Sequence, residues 1–238
     1  MNIQDYTNTA YLFEGITGDF LPADMVKTIR SFIATENIYL SASREIVTKL
    51  ENLNNDFKYA HERNPIHHIN TRVKTPVSIV KKLQKRGYEL TVKAARENLT
   101  DIAGVRVICS YIDDIYLIRD LLLSQDDIEL IRTSDYIKNP KPNGYRSLHL
   151  IVTVPVFLTT KVEIVNVEIQ IRTIAMDFWA SLEHELAYKL ADRKRDSAFL
   201  ELKECADEIA DIDNRMQNLY NITIHLENGS PGQQNNDI

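Results

Sequence analysis

Alternation between residues 162 and 173 is the feature that most constrains how this chain folds. Successive side chains of a strand point to opposite faces, so Glu168, Gln170 and Arg172 share one face while valine and isoleucine occupy the other. Residues 148–154 alternate in the same way, and the two segments predict a long β-hairpin. A carboxylate, an amide and a guanidinium side by side on such a strand indicate phosphate chemistry on a rigid sheet.

Periodicity and turn residues elsewhere predict further strands and helices. Thr75, Pro76 and Gly87 delimit a helix, because threonine is a favourable N-cap, proline suits the first helical position and glycine suits the C-cap. The loop at residues 135–145 contains prolines and a glycine and is expected to be irregular. The other predicted strands are residues 66–73, 102–111 and 127–131, and the other predicted helices are residues 46–61 and 113–123.

Residues after 173 are predicted to be helical. The first helix there has a predicted buried stripe of Ile174, Phe178, Leu182 and Leu186. The last helix has a heptad seam that could pack on its own domain or on another subunit, made of Ala198, Leu202, Cys205, Ile209, Ile212, Met216 and Leu219. The chain therefore divides into an N-terminal helical region (1–63), a catalytic domain (64–190), a C-terminal helix (191–226) and a disordered tail (227–238).

Composition excludes several classes of protein. A chain of 238 residues can form one domain with helical extensions, or two small domains. It has neither a signal-peptide pattern nor a run of roughly 20 apolar residues, so a cytoplasmic protein without a membrane span is expected. Cys109 and Cys205 fit no disulfide framework or metal-ligand spacing and are expected to be core residues. Walker A and nucleophile-elbow motifs are missing.

Charge is distributed unevenly along the chain. The net charge of -6 argues against a protein that coats nucleic acid. Lysine and arginine nevertheless outnumber acidic residues between Arg72 and Arg106, which indicates a local site for a small polyanion.

The helix that begins at Pro76 carries a candidate polyphosphate cradle. Ser78, Lys82 and Lys85 share one face, and Lys74 lies just before the helix. Free N–H groups and the helix dipole at an N-terminus add to the attraction for anions. The alternative is that these lysines only solvate an exposed helix face.

A buried strand is expected to contain Arg106, with Asp101 just before it. An unpaired buried charge is costly, so this guanidinium needs a partner. It either pairs with a carboxylate or stacks on a planar ring, and the residues leave both alternatives open.

The segment 140–149 combines an aromatic residue with cations. Gly144 gives the backbone freedom, Tyr145 offers a flat platform, and Lys141, Arg146 and His149 can contact phosphates or a base. The alternative for Tyr145 is an anchor that holds the loop.

We identify Glu168 as the carboxylate most suited to bind a metal ion. A second carboxylate on a neighbouring strand would suffice for Mg2+, which prefers oxygen ligands and keeps waters for substrate phosphates. The alternative is a solvated face on a surface strand.

Four motifs occur in order along the chain. They are Thr71-Arg72-Val73-Lys74 with Pro76 and Ser78, Asp101-Ile102-Ala103-Gly104-Val105-Arg106, Gly144-Tyr145-Arg146-Ser147 with His149, and Val167-Glu168-Ile169-Gln170-Ile171-Arg172-Thr173. The series resembles the synthetase domain of the RelA/SpoT-type alarmone synthetases from about Arg72 to His184. The short flanks resemble those of a stand-alone small alarmone synthetase.

The resemblance implies both a fold and a reaction. The fold is α+β, with a mixed five-stranded sheet flanked by helices, nucleotidyltransferase-like, and with N- and C-terminal helical extensions. The reaction transfers the β,γ-pyrophosphate of ATP to the 3'-OH of GDP or GTP and gives ppGpp or pppGpp plus AMP in the stringent response. Mg2+ is the implied cofactor, a homotetramer is the implied assembly, and no hydrolase activity is expected.

The motifs imply roles for residues on the donor side. Arg72 and Arg106 resemble the pair that sandwiches adenine. The residues that resemble ATP phosphate ligands are Lys74, Ser78, Lys82 and Lys85. Asp101 and Glu168 resemble the Mg2+ ligands, and Glu168 is also the candidate base for the 3'-OH.

Other motif positions imply the acceptor side. Tyr145 resembles the residue that stacks on guanine, with Lys141, His149 and Gln170 nearby. Asp177 stands where close relatives carry asparagine, and its carboxylate can accept bonds from the N1–H and the exocyclic amine of guanine.

Two other functions are compatible with these residues. One is an RNA- or nucleotide-binding regulator on the same fold, because the basic patch with Tyr145 suits single-stranded RNA. The other is a nucleotidyltransferase that releases pyrophosphate. Asp101 and Glu168 weigh against a pure binding module, since binding of a polyanion gains nothing from two carboxylates.

Overall fold

A five-stranded mixed sheet forms the centre of the protein, as the sequence predicts. The computed structural model describes residues 23–61, 63–189 and 195–228. The strands are β1 (Ile66–Val73), β2 (Ala103–Cys109), β3 (Glu129–Asp135), β4 (Leu148–Phe157) and β5 (Val162–Thr173). Their order across the sheet is β1-β2-β5-β4-β3, and only β2 and β5 pair in parallel within this sheet. The predicted hairpin of β4 and β5 is confirmed.

Six helices of the described chain accompany the sheet. They are α1 (Ala23–His61), α2 (Pro76–Arg86), α3 (Val92–Asn98), α4 (Ile112–Leu123), α5 (Ile174–Lys189) and α6 (Arg195–Asn228). The predicted helix 46–61 is the second half of the 39-residue α1. The short α3 was not predicted, and β3 begins and ends later than predicted. Within these described residues no helix has both the length and the apolar character needed to cross a bilayer.

Both predicted boundaries of α2 are confirmed. The Thr75 hydroxyl accepts a hydrogen bond from the backbone N–H of Ser78 (3.3 Å), and Gly87 ends the helix with a φ of 71°. Ile79, Val80 and Leu83 are buried, so the opposite face of α2 is free to carry polar residues.

The hydrophobic core lies on one face of the sheet. Ile169 and Ile171 of β5 are fully buried there, and Ala42, Ile46 and Leu50 of α1 belong to the same cluster. The N-terminal helix is therefore part of the core that supports the sheet. The domain boundaries stay predictions, and residues 1–22 and 229–238, with most of the predicted disordered tail, lie outside the described residues.

The predicted buried stripe of α5 is wrong. Ile174, Phe178, Leu182 and Leu186 are each between 43 and 58 % exposed, whereas Met176 and Trp179 are buried. The Thr173 hydroxyl accepts a bond from the Met176 N–H (3.1 Å), and the Trp179 indole donates to the Leu202 carbonyl (2.9 Å). The local bond at Thr173 and the tertiary bond of Trp179 together fix which side of α5 faces inward.

The heptad seam of α6 does not form the inward face of that helix. Ala206, Asp213 and Gln217 are buried instead, whereas Ile212, Met216 and Leu219 are exposed. Cys205 is exposed as well, so its predicted core position is wrong, whereas Cys109 is buried as predicted. The side chain of Ala198 lies outside the described part of the chain. Leu202 and Ile209 are half-buried, so the exposed apolar part of the seam is its second half, at Ile212, Met216 and Leu219.

Candidate active site

Strand register lines up polar side chains on the face of the sheet opposite the core. Arg72 pairs with Gly104, which pairs with Glu168. Two residues along each strand, a second row on the same face runs through Asn70, Arg106, Gln170 and His149. Directly paired residues project to the same face, so residues far apart in sequence share one surface.

A cleft of about 370 Å³ opens on this face. It brings together six of the predicted site residues: Arg72, Lys74, Asp101, Arg106, Glu168 and Gln170. Gly104 has no side chain to place between Arg72 and Glu168, so the middle of the cleft stays open. Asn70, Thr71 and Val105 also line the cleft and were not predicted as site residues, although Thr71 and Val105 belong to the quoted motifs.

Asp101 is held between two lysines at one end of the cleft. Its Oδ2 lies 3.2 Å from the Lys74 Nζ and 2.5 Å from the Lys82 Nζ. Burial raises the pKa of this carboxyl, but the Lys82 hydrogen bond and the charges of both lysines outweigh burial and hold the pKa below its ordinary value. Asp101 Oδ1 is buried and has no hydrogen-bond partner among the residues that the structure describes. One oxygen atom thus remains for a ligand.

Glu168 is ionised and held by two neighbours. The Gln170 amide donates to Oε2 (3.1 Å), and the His149 Nδ1 lies 3.4 Å from Oε1. Burial raises the pKa of Glu168, but the interactions with His149 and Gln170 lower it by more than burial raises it. The pKa of Glu168 therefore lies below its ordinary value. A nearby charge on Asp101 also raises the pKa of Glu168, which shows that the two carboxylates influence each other electrostatically.

Five side chains form a closed ring of polar contacts next to the cleft. The Tyr145 hydroxyl lies 2.8 Å from the His149 Nε2, and His149 contacts Glu168. Arg172 closes the ring, because its Nη2 donates to the Gln170 Oε1 (2.7 Å) and to the Tyr145 hydroxyl (3.1 Å). Burial raises the pKa of Tyr145 and keeps it a neutral phenol. The ring fixes the Tyr145 side chain relative to Glu168.

Arg172 belongs to the predicted polar row, but no role was predicted for it. Its side chain is almost fully buried, and its Nη1 donates to the Asp177 Oδ1 (3.3 Å). Arg106 approaches the same oxygen at 3.5 Å. Asp177 therefore lies between two guanidinium groups, and a guanine base that bonded to it would share it with them.

Aromatic rings and a cation surround Tyr145. The Lys141 Nζ lies 4.6 Å from the ring centroids of both Tyr136 and Tyr145. Tyr136 and His149 meet edge to face, with their centroids 5.2 Å apart. Tyr136 was not predicted as a site residue, and its only signal was its place in the irregular loop.

Several predicted contributors do not line the cleft: on the donor side Ser78, Lys82 and Lys85, and on the acceptor side Lys141, Tyr145, Arg146, His149 and Asp177. The Ser78 hydroxyl bonds to the Thr75 hydroxyl (2.8 Å) at the start of α2, and Lys85 is exposed near the end of that helix. Their roles as phosphate ligands stay predictions. Arg146, predicted to contact a phosphate or a base, instead points to α6 and bonds there.

Asp101 and Glu168 are the residues suited to hold a metal ion. Across the described ranges no group of three His, Cys, Asp or Glu side chains is close enough to coordinate one. Two carboxylates nevertheless suit Mg2+, because this ion completes its shell with waters and substrate phosphates. The unpartnered Oδ1 of Asp101 fits such a ligand.

Comparisons with known proteins agree with this arrangement. Residues 71–193 match the family described as the region found in RelA / SpoT proteins. The chain is 48% identical over 179 residues to GTP pyrophosphokinase YwaC of Bacillus subtilis (strain 168), covering 75% of this chain and 85% of that protein.

Two solved structures from Bacillus subtilis have the same fold. Small alarmone synthetase 2 aligns with a TM-score of 0.70 and 44% identity, covering 77% of this chain and 96% of that chain. Small alarmone synthetase 1 bound to its product pppGpp aligns with a TM-score of 0.74 and 31% identity, covering 82% and 99%. These similarities confirm the predicted nucleotidyltransferase-like architecture.

Proposed function

The chain belongs to the RelA/SpoT family, and from that premise we propose that it is a GTP pyrophosphokinase of the small alarmone synthetase type. It transfers the β,γ-pyrophosphate of ATP to the 3'-OH of GDP or GTP. The products are AMP and ppGpp or pppGpp. One observation carries this proposal: the carboxylates of Asp101 and Glu168 line a cationic cleft, and Glu168 also contacts His149 of the aromatic cluster around Tyr145.

The donor nucleotide is assigned to the cleft side of Glu168. Arg72 and Arg106 line it with planar guanidinium groups, which stack well on a flat base. Lys74 and Lys82 meet at Asp101, where their charges suit the phosphates of ATP. Binding of ATP therefore places the phosphate chain beside Asp101.

The acceptor nucleotide is assigned to the side of Tyr145. The phenol ring is held by Arg172 and His149 and is available to stack on guanine. Lys141, over the same ring, supplies a charge for the acceptor phosphates. Because Glu168 joins this ring to the cleft, it lies where the two nucleotides meet.

Chemistry follows from this placement. The 3'-oxygen of the acceptor attacks the β-phosphorus of ATP, the bond between that phosphorus and the α,β-bridging oxygen breaks, and AMP leaves with that oxygen. Glu168, a carboxylate that is deprotonated at neutral pH as glutamates ordinarily are, takes the proton of the 3'-OH. When bound by Asp101 and Glu168, Mg2+ would neutralise charge on the phosphates. Holding two reactants in line supplies much of the remaining rate enhancement.

Labelled ATP tests the proposal directly. The protein is incubated with Mg2+, γ-labelled ATP and GDP or GTP, and the products are resolved. Label on a guanosine tetra- or pentaphosphate supports the synthetase. Free labelled pyrophosphate would indicate a nucleotidyltransferase, and unchanged ATP would indicate the RNA- or nucleotide-binding regulator.

Glu168→Gln tests the proposed base. Glutamine keeps the size and an acceptor oxygen but cannot take the proton, so AMP release should fall by at least roughly a hundredfold. Binding of a non-hydrolysable ATP analogue should persist, which is measured by calorimetry. Turnover at the wild-type rate would refute this role.

Self-association is a further part of the proposal. Ile212, Met216 and Leu219 of α6 and Phe178 of α5 are about half exposed, and such an apolar surface is unusual for a free monomer. Burial of this surface between subunits would explain its exposure, which supports the homotetramer that the resemblance implies. Light scattering at micromolar concentration tests this, and a monomeric mass would contradict it.

A further inference from the structure

The loop that carries Tyr145 is hydrogen-bonded to helix α6. We call residues 136–147 the acceptor loop. Arg146 of this loop donates from Nη1 to the backbone carbonyls of Gly144 (3.0 Å) and Ala206 (3.1 Å). Its Nη2 donates to the Asp207 Oδ1 (2.9 Å). Three acceptors, two of them on α6, thus fix one guanidinium group.

A close backbone approach accompanies these bonds. Gly144 is buried against α6 with a φ of 87°, and a Cβ atom placed there would lie 2.4 Å from the Ala206 Cβ. The Lys203 Cα would be 3.5 Å away. The acceptor loop therefore touches α6 at a point that admits no side chain.

The contact is not densely packed around that point. A cavity of about 130 Å³ lies beside it, lined in part by Gly144, Arg146, Trp179 and Ala206. Empty space there means that the loop is not held by packing on all sides. The loop is instead attached by side-chain bonds, namely the three of Arg146 to the loop itself and α6 and one from the Asn143 amide to the Glu183 carboxylate of α5 (3.3 Å).

Tyr145 lies between the two attachment residues and faces the other way. Its hydroxyl bonds to His149 and Arg172, and its ring lies beside Lys141. The donor side is held by other elements, because Lys74 N bonds to the Ile102 carbonyl (2.9 Å) and Asp101 pairs with Lys82 of α2. Helix α6 therefore supports the acceptor half of the site and not the donor residues Lys74 and Asp101.

We propose that Arg146 is a positioning residue that clamps the acceptor loop to α6 and so sets the affinity for the guanosine nucleotide, without contacting either substrate. This inference rests on the proposed function and deepens it. Without the clamp the loop is free to move, so binding of guanine must also order Tyr145, which costs conformational entropy. In the intact protein this entropy is lost on folding and not on binding. The donor half keeps its own supports.

Steady-state kinetics of Arg146→Ala test this positioning role. We expect the KM for GDP to rise roughly tenfold, since charge-assisted bonds of this kind have about that effect, while the KM for ATP and kcat stay within about twofold. Arg146→Lys should recover part of the loss because an ammonium group still reaches one or two of the acceptors. Lys203→Gln is the matched control: it removes the Lys203–Asp207 ion pair (2.9 Å) but leaves the Arg146 bonds, so both KM values should be unchanged.

The outcomes separate the inference from the function on which it rests. An unchanged KM for GDP, or an equal rise for ATP and GDP, overturns the clamp. If Arg146→Ala does not fold, Asp207→Ala decides, because it removes one acceptor from an exposed position and should raise the KM for GDP about twofold to threefold. If the wild type makes no labelled alarmone, the proposed function fails, and binding of a fluorescent GDP analogue to the same variants still tests the clamp.

Discussion

Replacing Gly144 by alanine should destabilise the protein more than replacing Gly87 by alanine, although both glycines have positive φ. Gly87 has a φ of 71° and no atom within 4 Å of the position of a new Cβ. Gly144 has a φ of 87°, and its new Cβ would lie 2.4 Å from the Ala206 Cβ. The two variants share the backbone strain, and only one of them adds a steric clash.

The magnitudes follow from these two contributions. Positive φ costs an alanine about 1 kcal/mol, which is the full effect expected for Gly87→Ala. Carbon atoms normally approach no closer than about 3.5 Å, and overpacking of this kind costs about 1 to 3 kcal/mol more. Gly144→Ala should therefore cost about 2 to 4 kcal/mol. A chain of this size loses roughly 2 to 4 °C of Tm per kcal/mol, so its Tm should fall at least twice as far as that of Gly87→Ala.

Thermal unfolding followed by circular dichroism measures both variants at one protein concentration, because self-association would make Tm depend on concentration. A second substitution, Ala206→Gly, removes the atom against which the new Cβ collides. It costs about 1 kcal/mol by itself as a helical glycine, yet in the Gly144→Ala background it should recover part of the lost stability. Equal Tm losses in the two single variants, together with strict additivity in the double variant, would refute the close contact between the acceptor loop and α6.

Three further predictions concern the site. Tyr145→Phe keeps the ring but removes the hydroxyl that bonds to Arg172 and His149. Initial-rate kinetics should therefore show a several-fold higher KM for the acceptor nucleotide and a kcat that is little changed. A large loss of kcat alone would contradict this. Asp177→Asn removes the charge between two guanidinium groups and should raise the KM for both substrates by about twofold to tenfold, and an effect on GDP alone would favour a direct guanine contact. Burial raises the pKa of Asp101, but two lysines lower it below its ordinary value. The ionised Asp101 therefore stabilises the folded state above about pH 4, and this stabilisation is lost as the pH falls through the lower pKa of the folded state. The urea midpoints of wild type and Asp101→Asn should converge in acid, and a constant difference would contradict this.

Local patterns were sufficient to predict much of the fold. The alternation of β5 required Ile169 and Ile171 to share a buried face, and the structure buries both completely. The ends of α2 depend on a threonine hydroxyl and a left-handed glycine, both of which act within a few residues. Such features need no information from distant parts of the chain.

The faces of α5 and α6 could not be predicted in this way. Both helices carry more apolar residues than their inward faces can cover, so a heptad pattern identified a stripe that lies outside. Trp179 and Thr173 select the inward side through bonds to Leu202 and Met176, and Thr173 also donates to the Asp213 carboxylate (2.6 Å). Partners such as Leu202 and Asp213 are set by tertiary packing.

The candidate site divides along the same line. Local sequence specifies which chemical groups are present and which strand face carries them, because side-chain direction in a strand follows from a period of two. The neighbours of these groups depend on how the elements pack: Asp101 lies between two lysines, Asp177 lies between two arginines, and Arg146 turns away from the site to α6. Electrostatic and hydrogen-bonding partners lie up to 71 residues apart in these contacts, and their distances are fixed by the pairing of strands and the packing of helices.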